Sequence, residues 1–353
     1  MTSRKGFVHL LVLLVILAIV IAFGVVFLNS KKSASTSLTT VLPTTTAEQL
    51  PPEVDNTSLY YIGGDYKLYK KSPLSSPATV FLDKVGSYAF SPDRTKIAFI
   101  KGRGQETDNN IYIKNLESRK IEVNIDCKPW CVNRSISWSP EGTYILVDSG
   151  TGTEGTLTVY QASNGKELSQ FGDGFIVWLN ETTVYMTYRT EVDPPREWGS
   201  GEGRSVAKVD ITTGKTEILT KADATKDYNV NNIQGSCLYY SASFIDTNSG
   251  PLDSIYCYDL VTKATKTVPL DQVNAEYNKR AETEEKAIVQ IVSEYATDKS
   301  TRVIRNNNFK DWIIVGVYKS GTSIYSSEII IFNLSDPKGT FQKLGTGAQV
   351  DWY

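Results

Sequence analysis

The chain has 353 residues, with 37 Lys and Arg against 39 Asp and Glu and a formal net charge of −2. That balance leaves no basic excess for a nucleic-acid surface, and a hydrophobic content of 41% is that of a folded domain rather than a disordered chain. The single histidine, His9, lies in the most apolar stretch, so the rest of the chain can hold neither a Ser-His-Asp or Cys-His centre nor a histidine-ligated metal.

Residues 1–6 form a short tail carrying Arg4 and Lys5. Residues 7–28, from Phe7 to Leu28, contain no formally charged side chain. As one helix rising about 1.5 Å per residue they span the roughly 30 Å hydrocarbon core of a bilayer. The run exceeds the roughly 7 to 15 residues of a cleaved signal, so an uncleaved membrane anchor is expected, with His9 near the head groups. Arg4, Lys5 and the amino terminus outweigh Lys31 and Lys32 by one charge, which places the terminus inside. Residues 29–57 are rich in Ser, Thr and Pro, including Thr44-Thr45-Thr46 and Pro51-Pro52. They read as an unstructured spacer with a mean reach of about 30 Å. The chain from residue 58 onward is expected outside the cytoplasm of a bacterial-type envelope.

From residue 58 to 353 one phrase recurs: a short apolar strand, Asn or Asp, an aliphatic residue, a turn and a second strand. Its copies begin at Lys67, Ile111, Leu157, Val206, Ile255 and Ile329, and the clearest end in Asn115-Leu116, Asp210-Ile211, Asp259-Leu260 and Asn333-Leu334. A period in the forties built of short strands predicts a β-propeller with one four-stranded sheet per blade. Ahead of the phrase stands another strand pair, joined by Ser91-Pro92-Asp93 in one unit and Ser139-Pro140-Glu141-Gly142 in the next, where proline and glycine supply the turn. Phe90, Trp138 and Trp178 mark the first strand of successive units. These strands resemble the WSPDG repeats of TolB-type β-propellers. The resemblance implies architecture over most of residues 57–353 and carries no catalytic residue with it.

The chain ends on Gln349-Val350-Asp351-Trp352-Tyr353, with Trp352 standing where Trp138 stands, whereas the repeat region opens at Ser58-Leu59-Tyr60-Tyr61-Ile62 without such a strand. The expected fold is therefore all-β: a six-bladed propeller whose C-terminal strand completes the first blade and removes two open edges. The alternative is an unclosed stack of hairpins. Residues 271–297 change character. Ala281, Glu284, Glu285 and Lys286 are good helix formers, and Ala287, Ile288, Ile291, Val292 and Tyr295 recur at helical spacing. They predict a helical insertion docked between blades five and six. Residues 271–353 as a separate α+β domain are the alternative partition.

Four cysteines, Cys127, Cys131, Cys237 and Cys257, allow three pairings. If Tyr239 faces Ile255 across a hairpin, Cys237 faces Cys257, and Cys127-Lys-Pro-Trp-Cys131 would clip the loop linking blades two and three. Two structural disulfides are expected, with metal ligation, redox chemistry and free buried thiols as alternatives. No catalytic, cofactor-binding or metal-binding residue is assigned and no cofactor is expected. Glu106, Asp108, Glu154, Asp173, Glu191, Asp193, Glu197 and Glu202 read as loop acids, two of which a glycosidase would need at a fixed separation. The long loop Arg189–Arg204, with Arg196, Trp198 and Arg204, is the candidate interaction surface, and Trp130 is the second candidate.

Function enters as an expectation: a membrane-anchored, extracytoplasmic, non-enzymatic scaffold for another envelope protein or a ligand. A carbohydrate-active or small-ligand propeller is the alternative. Arg4-Lys5-Gly6-Phe7 also resembles a type IV prepilin leader, with Leu11 where pilins carry glutamate. That resemblance implies a third reading, a pilin-like surface subunit processed at Gly6.

Overall fold

A computed structural model describes residues 50–353 apart from 103–109, 128–134, 152–153, 173, 193–200, 245–253, 270–282, 291–298, 305–308, 310, 320–326 and 339. The predicted membrane span at 7–28, and most of the spacer, lie outside the described residues. Among the described residues no helix is long and apolar enough to cross a membrane.

The chain enters through α1 (Pro52–Asp55), β1 (Leu59–Ile62), β2 (Leu68–Lys71) and β3 (Thr79–Leu82). A second sheet comes next as β4 (Val85–Phe90), β5 (Lys96–Lys101), β6 (Asn110–Asn115) and β7 (Ile121–Asp126). The third is β8 (Ile136–Trp138), β9 (Tyr144–Thr151), β10 (Glu154–Gln161) and β11 (Glu167–Gly172). The fourth is β12 (Ile176–Trp178), β13 (Thr183–Glu191), β14 (Glu202–Asp210) and β15 (Thr216–Thr220), and the fifth is β16 (Lys226–Gln234), β17 (Cys237–Phe244), β18 (Ser254–Asp259) and β19 (Thr265–Val268). A helix, α2 (283–290), precedes the sixth: β20 (Lys299–Ile304), β21 (Trp312–Lys319), β22 (Glu328–Asn333) and β23 (Gln342–Thr346). Last, β24 (Ala348–Trp352) returns to β1, giving the order β24-β1-β2-β3 in the first sheet. Among the described residues these make six four-stranded antiparallel sheets, in the all-β architecture of a propeller.

The recurring phrase has a local physical cause. In the second, fourth and fifth sheets the Asx side chain at the end of the third strand accepts backbone N–H groups two and three residues on: Asn115 from Glu117 and Ser118, Asp210 from Thr212 and Thr213, and Asp259 from Val261 and Thr262. The next residue, an aliphatic, turns its own N–H to the preceding hairpin of the same sheet, Leu116 to Thr95, Ile211 to Thr182, Leu260 to Ser236 and Leu334 to Asp311. One residue type closes the outer turn and the next ties it to the inner turn, which is why the pair repeats.

Neighbouring sheets pack through their faces. Ile111 and Ile113 of the second sheet meet Ile145 and Val147 of the third, Val159 of the third meets Val184 and Met186 of the fourth, and Tyr185 and Val206 of the fourth meet Val230 and Leu238 of the fifth. Ile314, Ile329 and Ile331 of the sixth sheet pack on Leu59, Tyr61 and Trp352 of the first. The opposite face of the sixth sheet, with Ile313, Val315 and Phe332, is covered by α2 through buried Ala287 and half-buried Ile288. The helix thus docks on one sheet face, as its apolar stripe predicts, while Ile291, Val292 and Tyr295 lie outside the described residues. Ala47–Tyr353 is one compact unit that includes the sixth sheet, so residues 271–353 do not split off as a separate domain.

Two sequence readings need correction. Residues 50–57 are not spacer: Leu50 and Val54 are buried against the first and sixth sheets, and the Trp352 indole N–H donates to Thr57 Oγ1 at 2.8 Å. Their Pro- and Thr-rich surroundings hide two core residues. In the fifth sheet Tyr239 pairs with Cys257, and Ser241 with Ile255, so the register is shifted by two residues from the expected one. The Cys237–Cys257 disulfide forms all the same, diagonally on one face, with Cα atoms 5.5 Å apart. Cys127 is also disulfide-bonded; Cys131 lies outside the described residues.

Candidate functional site

Strand polarity divides the propeller into two ends. The first strands of the sheets, β4, β8, β12, β16, β20 and β24, all start at one end, and there the connections between second and third strands also return. The opposite end holds the short Ser-Pro and Asx turns. Chain length is spent at the first end, and a cavity opens there.

That cavity has a volume of about 450 Å³ and draws on three sheets. The third sheet gives Ser135, Ser137 and Asp148 with an apolar floor of Leu146 and Leu157, the fourth gives Gly174, Phe175, Ile176, Thr187 and Arg204, and the fifth gives Asn229. Among the described residues it carries one carboxylate, one guanidinium, one amide and three hydroxyls over an apolar base. Ligand sites generally have about 300–1,000 Å³ and a few convergent polar groups among apolar ones.

Close backbone approach shapes its wall. A Cβ built on Gly174 would stand 2.2 Å from the Thr187 carbonyl oxygen, a contact that only glycine avoids at this crossing of β12 and β13. Thr187 N–H donates to the Phe175 carbonyl at 2.9 Å, and Thr187 Oγ1 accepts the Val230 N–H at 3.1 Å. Arg204 N–H donates to Asp227 Oδ1 at 2.7 Å. The fourth and fifth sheets are therefore pinned together beside the cavity, and most of its lining sits on strands, with Ser135, Gly174 and Phe175 in the connections just ahead of β8 and β12. A smaller cavity of about 180 Å³, bordered by Phe171, Met186, Tyr188 and Arg189, shares Thr187 with it.

This arrangement, six four-stranded sheets closed by the last strand onto the first, decides the architecture. In fold, the chain is similar to TolB and other β-propellers. The β-propeller domain of the Trilobed protease from Pyrococcus furiosus is 12% identical over 82% of this chain and 81% of that one, with a TM-score of 0.42. TolB from Acinetobacter baumannii is 14% identical over 86% of this chain and 67% of that one, with a TM-score of 0.40. The Pyrococcus horikoshii acylaminoacyl peptidase is 13% identical at a TM-score of 0.42, and the matched region covers 75% of this chain but only 39% of that one. No protein-family model and no curated protein matches the sequence.

Of the interaction residues expected from sequence, Arg204 lines the cavity; Trp130, Arg196 and Trp198 lie outside the described residues. The supposed loop Arg189–Arg204 is shorter than it reads. Its first and last residues are strand, Arg189 pairs with Arg204 and Glu191 with Glu202 in the β13–β14 register, and Val192 N–H closes the hairpin onto the Gly201 carbonyl. Glu154, taken as a loop acid, pairs with Thr151 in the β9–β10 ladder, and Glu202 lies 3.8 Å from Arg189 in an exposed ion pair. Glu106, Asp108, Asp173, Asp193 and Glu197 lie outside the described residues. Among the described residues no group of three or more His, Cys, Asp or Glu stands close enough to hold a metal ion.

Sequence reasoning missed Asp148, Phe175, Thr187 and Asn229. A usable signal existed for two of them. Asp148 comes directly after the apolar run Ile145-Leu146-Val147, and Asn229 directly precedes buried Val230, so each is a polar residue inside a strand beside buried apolar neighbours.

Proposed function

We propose that the chain is a six-bladed propeller held at a membrane by residues 7–28, displayed outside the cytoplasm of a bacterial-type envelope, and working as a non-enzymatic scaffold that binds a partner at its loop-bearing end. The observation that carries this reading is the cavity of about 450 Å³ assembled from three sheets on hydrogen-bonded strands. A rigid frame with function placed on one end is how loops on a fixed scaffold commonly act. Among the described residues the lining carries a single carboxylate, Asp148, where hydrolysis of a sugar bond by paired acids requires two. That favours capture over turnover. The disulfide-bonded Cys127, Cys237 and Cys257 support an oxidising compartment, and the uncharged run from Phe7 to Leu28 supports the anchor.

The test is a crosslinking pull-down from native membranes, comparing the full chain with a full-length variant whose residues 193–200 are replaced by a short Gly-Ser segment and which also carries Arg204→Ala. The reading expects a discrete envelope protein recovered with the first and lost with the second. Equal recovery with both would contradict it.

A further inference from the structure

The chemistry of the cavity lining narrows what fits it, on the footing that this end of the propeller is the binding face. Among the described lining residues Asp148 and Arg204 cancel in formal charge, so the lining is formally neutral. Ser135, Ser137, Thr187 and Asn229 add uncharged groups, and hydroxyls and amides both donate and accept. Thr187 Oγ1 already accepts the Val230 N–H at 3.1 Å, which leaves its own proton to donate. A purely apolar ligand would strand these groups without partners, at a cost. A zwitterion would engage the carboxylate and the guanidinium and leave the four neutral groups idle. A neutral ligand with many hydroxyls uses all of them.

The rim supplies the remaining part. Phe175 is 68% exposed, makes no ring contact among the described residues, and lies on the cavity wall. Its backbone is fixed, because its carbonyl accepts the Thr187 N–H at 2.9 Å and the neighbouring Gly174 is pressed against the Thr187 carbonyl. A large exposed aromatic ring on a backbone held in this way is poor for solubility and good for stacking on a flat apolar surface. Sugar rings present such a surface, the C–H face, with hydroxyls projecting around it.

We infer that the cavity between the third, fourth and fifth sheets is a saccharide site for one or two neutral sugar rings, with Phe175 as stacking platform and Asp148, Arg204 and Asn229 as the polar anchors. No bond is made or broken there; the site binds.

The experiment is calorimetric titration of the full chain, solubilised in a polyoxyethylene detergent that has no sugar head group, with maltose, cellobiose and N,N′-diacetylchitobiose as probes. One of the three is expected to bind at one site per chain. Phe175→Ala and Asp148→Asn should each weaken binding by about tenfold, with the thermal unfolding midpoint unchanged in Phe175→Ala. Failure of all three disaccharides to bind overturns the inference, as does binding indifferent to both substitutions. Binding of glycylglycine in their place, lost in Arg204→Ala, also overturns it and makes the cavity a zwitterion site. Membrane pull-downs separate this inference from the reading beneath it. Partner capture lost in Phe175→Ala without any saccharide binding overturns the sugar class and keeps the binding face. Saccharide binding that depends on Phe175, with no protein captured, upholds the site and counts against a protein partner.

Discussion

Lys263 adopts φ 62°, the position that Gly165 and Gly214 hold at φ 73° and 71° in the equivalent turns of the third and fourth sheets. Arg119 fills it in the second sheet at φ 59°. An L-residue there crowds its Cβ against backbone, a strain of about 1–2 kcal/mol that glycine lacks, partly offset by the greater freedom of glycine in the unfolded chain. Lys263→Gly is therefore expected to stabilise the protein by about 0.5 kcal/mol, read as a higher urea midpoint at unchanged slope. Glu181 makes a second residue-scale case. Partial burial works to raise the pKa of its carboxyl, but hydrogen bonds from the Ser139 hydroxyl and the Glu141 and Thr143 N–H groups outweigh this and hold it below the ordinary 4.5. Because the folded-state pKa is depressed, the stabilisation is fully present above pH 4.5 and is lost as pH falls through the folded value. Glu181→Gln should flatten that part of the acid unfolding profile, and an unchanged profile would show that Glu181 is not the group responsible.

At the scale of elements, α2 stands out because it covers a sheet face that elsewhere in the molecule meets another sheet. Its Ala287 is 3% exposed among Ile313, Val315 and Phe332. Ala287→Asp would bury an unpaired carboxyl there and should cost about 2–4 kcal/mol, whereas Val289→Asp, on the 58% exposed side, should cost less than about 0.5 kcal/mol. Both are read by chemical unfolding. The helix was legible because its apolar positions keep a 3.6-residue period, and the strands because the Asx-aliphatic pair marks the same turn in sheet after sheet. The β17–β18 register was not legible: Tyr239 and Ile255 are both apolar at alternate spacing, so a two-residue slip keeps every side chain on its face and leaves no mark in the pattern. The ends of β13 and β14 were missed for a related reason. Arg189, Glu191, Glu202 and Arg204 carry charge, and charge reads as loop, yet they share the one exposed face of the hairpin while Val192, Gly203 and Ser205 on the other are buried.

For the whole molecule, the joint between β1 and the last strand, β24, closes the first sheet. Beyond its ladder with β1, the last strand is held by the Tyr88 hydroxyl donating to the Gln349 carbonyl at 2.6 Å, and by Arg94, which pairs with Asp351 at 3.0 Å and lies 3.6 Å over the Tyr353 ring. Tyr353 itself stacks on Tyr60. A chain ending at Gly347 loses this joint and exposes the β1 edge; it is expected to unfold at lower urea with a broadened transition, where a single sharp transition at the native midpoint would refute the closure. The closure was readable in the sequence, since Trp352 repeats the place of Trp138. The cavity was not, because Asp148, Phe175 and Asn229 come from three sheets and only the ring brings them together. The proposed function rests on an asymmetry, in which the loop-bearing end of the propeller binds and the opposite end does not. A photo-crosslinking amino acid placed at Phe175, on the cavity rim, or at Val261, 77% exposed in an Asx turn at the opposite end, probes that asymmetry when the full chain is irradiated in native membranes. A discrete crosslinked product is expected from position 175 and none from 261; equal labelling at both positions, or labelling at 261 alone, would contradict the asymmetry.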